Sequence, residues 1–131
     1  MPQKIEIIAD SVKFEAELND DPTAKSIIGT LPIKAIAQRW GGEIYFSIPV
    51  TAELKPGSRE VLQAGELGFW PTGNAFCIFF GPTPVSQSDE IRAASAVNII
   101  GKMKSDWAKL WDVSSGSRIV IKASEDSKEK G

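Results

Sequence analysis

Apolar and polar positions alternate with a period of two through Lys4–Ala9 (KIEIIA) and again through Val12–Leu18 (VKFEAEL). With Asp10-Ser11 between them as a two-residue turn, the pattern predicts an opening hairpin with Phe14, Ala16 and Leu18 on one face. The period changes after Asn19-Asp20-Asp21-Pro22. Asp21 suits an N-cap and Pro22 the first helical position, where its missing N–H forfeits no bond. Ala24, Ile27, Ile28 and Leu31 then recur at helical spacing, which predicts about three turns laid on a core and stopped by Pro32.

Period two returns afterwards. Ile33–Arg39 reads as a strand with imperfect alternation, Trp40-Gly41-Gly42 as a corner, and Glu43–Pro49 as a returning strand. In the latter, Ile44, Phe46 and Ile48 face one way and Glu43, Tyr45 and Ser47 the other. Thr51–Ala64 is irregular around a Pro56-Gly57 turn. Glu66–Trp70 is a further strand, followed by the turn formers Pro71–Asn74. Ala75–Phe80 is apolar at every position, which predicts a central strand covered on both faces. Pro82 and Pro84 have no N–H to give a ladder, so Gly81–Pro84 leaves the sheet, and Val85–Ala94 reads as a polar loop. Ser95–Met103 is another buried strand. Ser105 is placed to cap a short second helix with Trp107, Leu110 and Trp111 at i, i+3 and i+4, and Arg118–Ala123 is the last strand.

Eight strands interrupted by two short helices exclude a doubly wound parallel sheet. They predict a mainly all-β domain over residues 1–124, built as a closed or nearly closed antiparallel barrel of about eight strands. The charged stretch 125–131 has no apolar anchor and is expected to be a disordered tail.

Composition narrows the chemistry. The chain has 131 residues, a net charge of −2, one cysteine and no histidine. A chain of this size buries roughly two thirds of its unfolded surface, enough for one core without disulfide or metal support. Scattered basic residues give no footprint for nucleic acid or an anionic membrane, and no apolar run approaches a membrane span. A soluble, cytoplasmic protein is expected. Without histidine, no serine–histidine or cysteine–histidine couple and no imidazole metal site can form within one chain. Neither metal nor cofactor is expected.

Half of the tryptophans, the only tyrosine and five of the six phenylalanines fall between Trp40 and Phe80. The segments WGGEIYFSIPV (40–50), GELGFWPTGNAFCIFFGPTPVS (65–86) and ASAVNIIGK (94–102) resemble a set of small prokaryotic cyclophilin-like proteins of unestablished activity. The resemblance covers all but the tail and implies a cyclophilin-like eight-stranded barrel with helices over its ends. Prolyl isomerases of the wider fold bind a proline-containing peptide in an apolar groove on the outer barrel wall. They use an arginine, phenylalanines, a glutamine and usually a histidine. Here histidine is absent and none of Arg39, Arg59, Arg92 and Arg118 aligns with the catalytic arginine. The isomerase residues therefore carry over at no position, and fold alone does not supply function.

The candidate binding residues are Glu43, Tyr45, Trp70 and Asn98. Of the aromatic group Trp40, Tyr45, Phe46, Trp70 and Phe80, most are needed to fill a small barrel. Tyr45 lies on the polar face of its strand and Trp70 abuts a loop, so these two are the ones placed to floor a groove. Glu43 reads either as a rim acid raised by desolvation or as a turn organiser accepting from the Gly41 and Gly42 N–H groups. Asn98 either presents its amide to a ligand or satisfies neighbouring backbone. Cys77, between Phe76 and Ile78, reads as a small hydrophobe and not as a nucleophile. The resulting expectation is a non-enzymatic module binding a small molecule or a proline-containing peptide. The alternatives are a weak peptidyl-prolyl isomerase and an interaction or oligomerisation module.

Overall fold

The structure is a computed structural model and describes residues 3–124; the expected tail at 125–131 lies outside the described residues. The described residues form ten strands: β1 (Gln3–Ala9), β2 (Val12–Leu18), β3 (Ile33–Ile36), β4 (Gln38–Trp40), β5 (Glu43–Ser47), β6 (Arg59–Leu62), β7 (Glu66–Trp70), β8 (Ala75–Phe79), β9 (Ile91–Met103) and β10 (Arg118–Ala123). Every pairing is antiparallel. The main path runs β3-β10-β1-β2-β9-β7-β8-β5-β4, and β6 lies off it, paired with β9.

This corrects the expected closed eight-stranded barrel in two respects. First, the segment 33–40 is two strands. The Ala37 N–H donates to Ser117 O and its carbonyl accepts from the Gly116 N–H, so pairing is interrupted there. Ile33–Ile36 pairs with β10 whereas Gln38–Trp40 pairs with β5. The two ends of the path are thus consecutive in the chain but are not laddered to each other. Second, SREVLQA contains β6, and the expected polar loop gives up its last residues to β9, which starts at Ile91 and runs for 13 residues.

The helix α1 (Pro22–Ile28) starts as the sequence predicts: Asp21 Oδ2 accepts from the Thr23 N–H at 2.9 Å and Pro22 occupies the first turn. It is two turns long, not three. Past Gly29 the backbone tightens into Thr30 N–H to Ile27 O and Leu31 N–H to Ile28 O bonds, and a residue before proline is held out of the helical region. The second helix is a 3₁₀ segment, Trp107–Asp112, capped by Asp106 and not by Ser105; Ser105 Oγ instead accepts from the Glu15 N–H. Only Leu110 of its expected stripe is buried, leaving Trp107 and Trp111 exposed.

Alternation along the strands sorts side chains into two apolar layers. Phe14, Ala16 and Leu18 of β2 do share the inner face, where they join Phe46, Phe69, Phe76 and Ile78 in the main core. Strand β8 is buried at all five positions. It sends Phe76 and Ile78 into that core and Ala75, Cys77 and Phe79 outward into a second cluster with Leu62, Ile91, Ala93 and Val97. The outer layer exists because β6 and the first half of β9 fold across the outside of the β5–β8–β7 sheet. A register shift between Leu67 and Gly68 allows that crossing. Gly68 is needed at this point: a Cβ there would lie 2.7 Å from Val97 Cγ2.

Candidate functional site

Strand β5 carries Glu43 and Tyr45 on its outward face, because side chains two apart share a face. Trp40 of β4 is the register partner of Glu43, and Cys77 of β8 the partner of Tyr45. Trp70, at the end of β7, pairs with Ala75 on the far side of β8. Three strands thereby bring two indoles, a phenol and a carboxyl to one place on the outer wall. Together with Ala93, Ala94 and Val97 they line a cavity of about 110 Å³. The walls are half-buried at Trp40, Tyr45 and Trp70 and closed at Ala93 and Val97, while Ala94 stands exposed at the mouth.

The corner that sets Trp40 against Glu43 depends on two glycines. Gly41 has φ +60°, the left-handed region that favours glycine, and a Cβ on Gly42 would lie 2.2 Å from the Gly81 carbonyl carbon. The Gly42 N–H donates to Pro82 O at 2.8 Å and the Gly42 carbonyl accepts from the Phe80 N–H at 2.8 Å. The Gly42 donor is therefore already used by backbone, so the turn-organising role considered for Glu43 gives way to the desolvated one. Glu43 is only 6% exposed. Burial pushes its carboxyl up from 4.5 to about 7, with a hydrogen bond to Cys77 pulling the other way. Burial, and then the nearby Glu43 charge, raise the Cys77 thiol well above its ordinary value. A thiol so held is no nucleophile at neutral pH.

The rings are held in place. The Trp70 Nε1–H donates to Ser95 Oγ at 2.6 Å, and both Trp70 and Tyr45 pack on the outer apolar cluster. Among the described residues no basic side chain forms an ion pair with Glu43. Arg39, four residues before it, is spent elsewhere: its guanidinium lies over Phe80 and Trp111 and donates to the carbonyls of Gly41, Trp111 and Val113. Arg92 pairs with Glu90 and Glu60.

A family model described as Cyclophilin-like matches residues 3–122. The chain belongs to the cyclophilin-like family. A hypothetical protein of Archaeoglobus fulgidus, whose structure was determined in solution, is similar to it at 37% identity. That likeness covers 94% of this chain and 95% of that one, with a TM-score of 0.79. No curated protein matches the chain. Among the described residues, no helix is long and apolar enough to cross a membrane.

Within this cyclophilin-like domain, three of the four candidate residues meet: Glu43, Tyr45 and Trp70 line one cavity. Asn98 does not line it. Its side chain is 2% exposed, accepts from the Lys55 N–H at 2.8 Å and donates to Glu53 O at 3.0 Å and to Thr23 Oγ1. Of its two open roles the structure places it in the second, tying the 53–55 loop to β9 and α1. The aromatic group divides as well: Phe46 stacks inward on Phe76 at 5.4 Å, and Phe80 meets Trp111 edge-on at 4.8 Å. Sequence reasoning missed Ala93, Ala94 and Val97 as walls. The small residues of the run IRAASAV were the available signal, since alanines opposite large rings leave space.

Proposed function

We propose that this cyclophilin-like domain is a binding module that takes one compact group, carried by a small molecule or a peptide, in the outer-wall cavity. The observation behind this reading is the convergence of Trp40, Tyr45, Trp70 and Glu43 on a cavity of about 110 Å³. Size selects the class of occupant. An engineered cavity of roughly 150 Å³ holds benzene, whereas pockets for drug-sized ligands span roughly 300–1,000 Å³. A single ring or a compact branched group fits; a nucleotide or an extended cofactor does not. The residues around the cavity offer no acid–base couple beyond Glu43, which favours binding over group transfer.

Titration of ¹⁵N-labelled protein with a fragment set and with Ala-Pro and Phe-Pro peptides tests the reading. Shifts centred on the Trp40 and Trp70 indoles and on the Tyr45 amide support it; shifts confined to other regions overturn it. The ring-sized, apolar character of the cavity also favours a second reading, a weak prolyl isomerase. Exchange about an X-Pro bond needs chiefly a desolvated pocket that prefers the twisted amide and a hydrogen-bond donor. A neutral Glu43 carboxyl offers such a donor. Exchange rates equal to the uncatalysed ones at high protein concentration would remove that reading and leave the binding module.

A further inference from the structure

We infer that the group this cavity accepts is an alkylated ammonium, a quaternary or methylated amine; this rests on the reading of the cavity as a binding site. The lining combines three ring systems with one carboxyl and otherwise only aliphatic side chains. The faces of indole and phenol rings carry negative charge density and attract cations, tryptophan most strongly. Glu43 adds formal negative charge to the same walls. Among the described residues no lysine or arginine lines the cavity, and the two arginines nearest in sequence to its walls are engaged with other partners. The cavity is therefore built for positive charge that the protein itself does not supply.

Other occupants match it less completely. A neutral ring would satisfy the aromatic walls but leave the carboxyl either protonated or without a counter-charge, and an anion would be repelled by its ionised form. Calcium or magnesium requires several oxygen ligands, and the lining offers one carboxyl. A primary ammonium brings three donors that need acceptors. An alkylated ammonium needs few acceptors or none: its methyl groups contact the rings while its charge faces Glu43. The Ser95 bond to Trp70 and the packing of Tyr45 hold the walls before any ligand arrives, which lowers the ordering cost of binding.

The placement of Glu43 adds a pH signature. The titratable groups near it are the Cys77 thiol on β8 and the Tyr45 phenol on its own strand. Trp40 on β4, Trp70 on β7 and Ala93 and Val97 on β9 carry none. Burial sets the Glu43 carboxyl at about 7, so a cation that binds the ionised form must displace a proton. Its affinity should rise about tenfold between pH 6 and pH 8.

The experiment compares choline, tetramethylammonium and 3,3-dimethylbutan-1-ol, the neutral carbon analogue of choline, by NMR titration of the full chain. At pH 8 choline is expected to bind at least about tenfold tighter than the alcohol, with shifts at the Trp40 and Trp70 indoles. Glu43→Gln should abolish the pH dependence and shrink the preference for choline to what the three rings alone provide. A trimethyllysine peptide that binds more tightly than tetramethylammonium would assign the group to a protein partner; equal affinity would assign it to a small molecule. Equal binding of choline and the alcohol by the unmodified protein, at the same residues, would overturn the ammonium assignment and leave the binding site standing. Absence of any shift at the cavity with these probes and with the fragments and peptides above would overturn both.

Discussion

Strand β8 separates two apolar layers of opposite character. On its inner side Phe76 and Ile78 enter a core of Ile, Leu, Val, Ala, Met and Phe side chains in which, among the described residues, no ionisable group is buried. On its outer side Cys77 and Phe79 enter a smaller layer that closes over Leu62, Ile91, Ala93 and Val97. That layer opens at one edge onto rings and a carboxyl. The inner layer is completed by the strands themselves. The outer one needs β6 and half of β9 to fold across the sheet, and where their coverage ends a cavity remains. The difference teaches what shapes each layer: packing accounts for the inner one, whereas the outer one keeps a buried carboxyl that packing alone does not explain.

The largest effect expected is on the inner side. Phe76 is fully buried and stacked on Phe46. Phe76→Ala should lose about 3–5 kcal/mol of stability by urea unfolding, through lost transfer energy and a cavity that a β-sheet cannot collapse. A loss below about 1 kcal/mol would mean that the inner layer is loosely packed, and the contrast between layers would break.

Glu43→Gln probes the outer side, and here pH carries the information. The folded carboxyl sits at about 7 against 4.5 for an ordinary one, because burial disfavours its charge. Whatever the protonated carboxyl contributes is fully present below pH 4.5 and is lost as pH rises through 7. Relative to Glu43→Gln, the wild type should therefore weaken progressively across that window and then level off. The full difference corresponds to about 3 kcal/mol. Denaturation midpoints at half-unit steps from pH 4 to pH 8.5 measure it; parallel curves for the two proteins would show that Glu43 is solvated.

A smaller effect separates wall from core. Trp70→Phe keeps an aromatic wall but removes the N–H that donates to Ser95. A partly exposed neutral hydrogen bond contributes no more than about 1 kcal/mol, so unfolding should shift little. Binding at the cavity should nonetheless weaken, because the ring loses its anchor.

Much of this division was legible beforehand, for local reasons. Period-two alternation placed Phe14, Ala16 and Leu18 inward and set Glu43 beside Tyr45, and the unbroken apolar run 75–80 marked the strand covered twice. What could not be read depended on distant pairing. Ala37 is an ordinary residue in an apolar stretch, and only its bonds to Gly116 and Ser117 divide the strand there. The run Arg59–Leu62 is exposed at three of its four positions, so it carries almost no hydrophobic signal and is a strand because β9 lies beside it. Trp70 lines the same cavity as Glu43 only through the β5–β8–β7 order, which no short-range pattern encodes. Asn98 was ambiguous because an amide in an apolar strand serves a loop or a ligand equally well until its partners are known.

The finest test compares Glu43 with the other buried glutamate of the outer surface. Glu6 lies between Lys13 at 3.6 Å and Lys122 at 3.8 Å, both supplied by neighbouring strands, and its register partner on β10 is Lys122 itself. Among the described residues, cations are thus provided at Glu6 and none at Glu43. Both lysine side chains are more than a third exposed, so water screens the attraction. Glu6→Gln is accordingly expected to change stability by less than about 1 kcal/mol. The change should shrink further in 1 M salt, where screening acts over about 3 Å. A Glu6→Gln effect as large as that of Glu43→Gln, or one indifferent to salt, would mean that the flanking lysines do not neutralise Glu6. The missing counter-charge at Glu43 would then no longer distinguish the cavity from the rest of the surface.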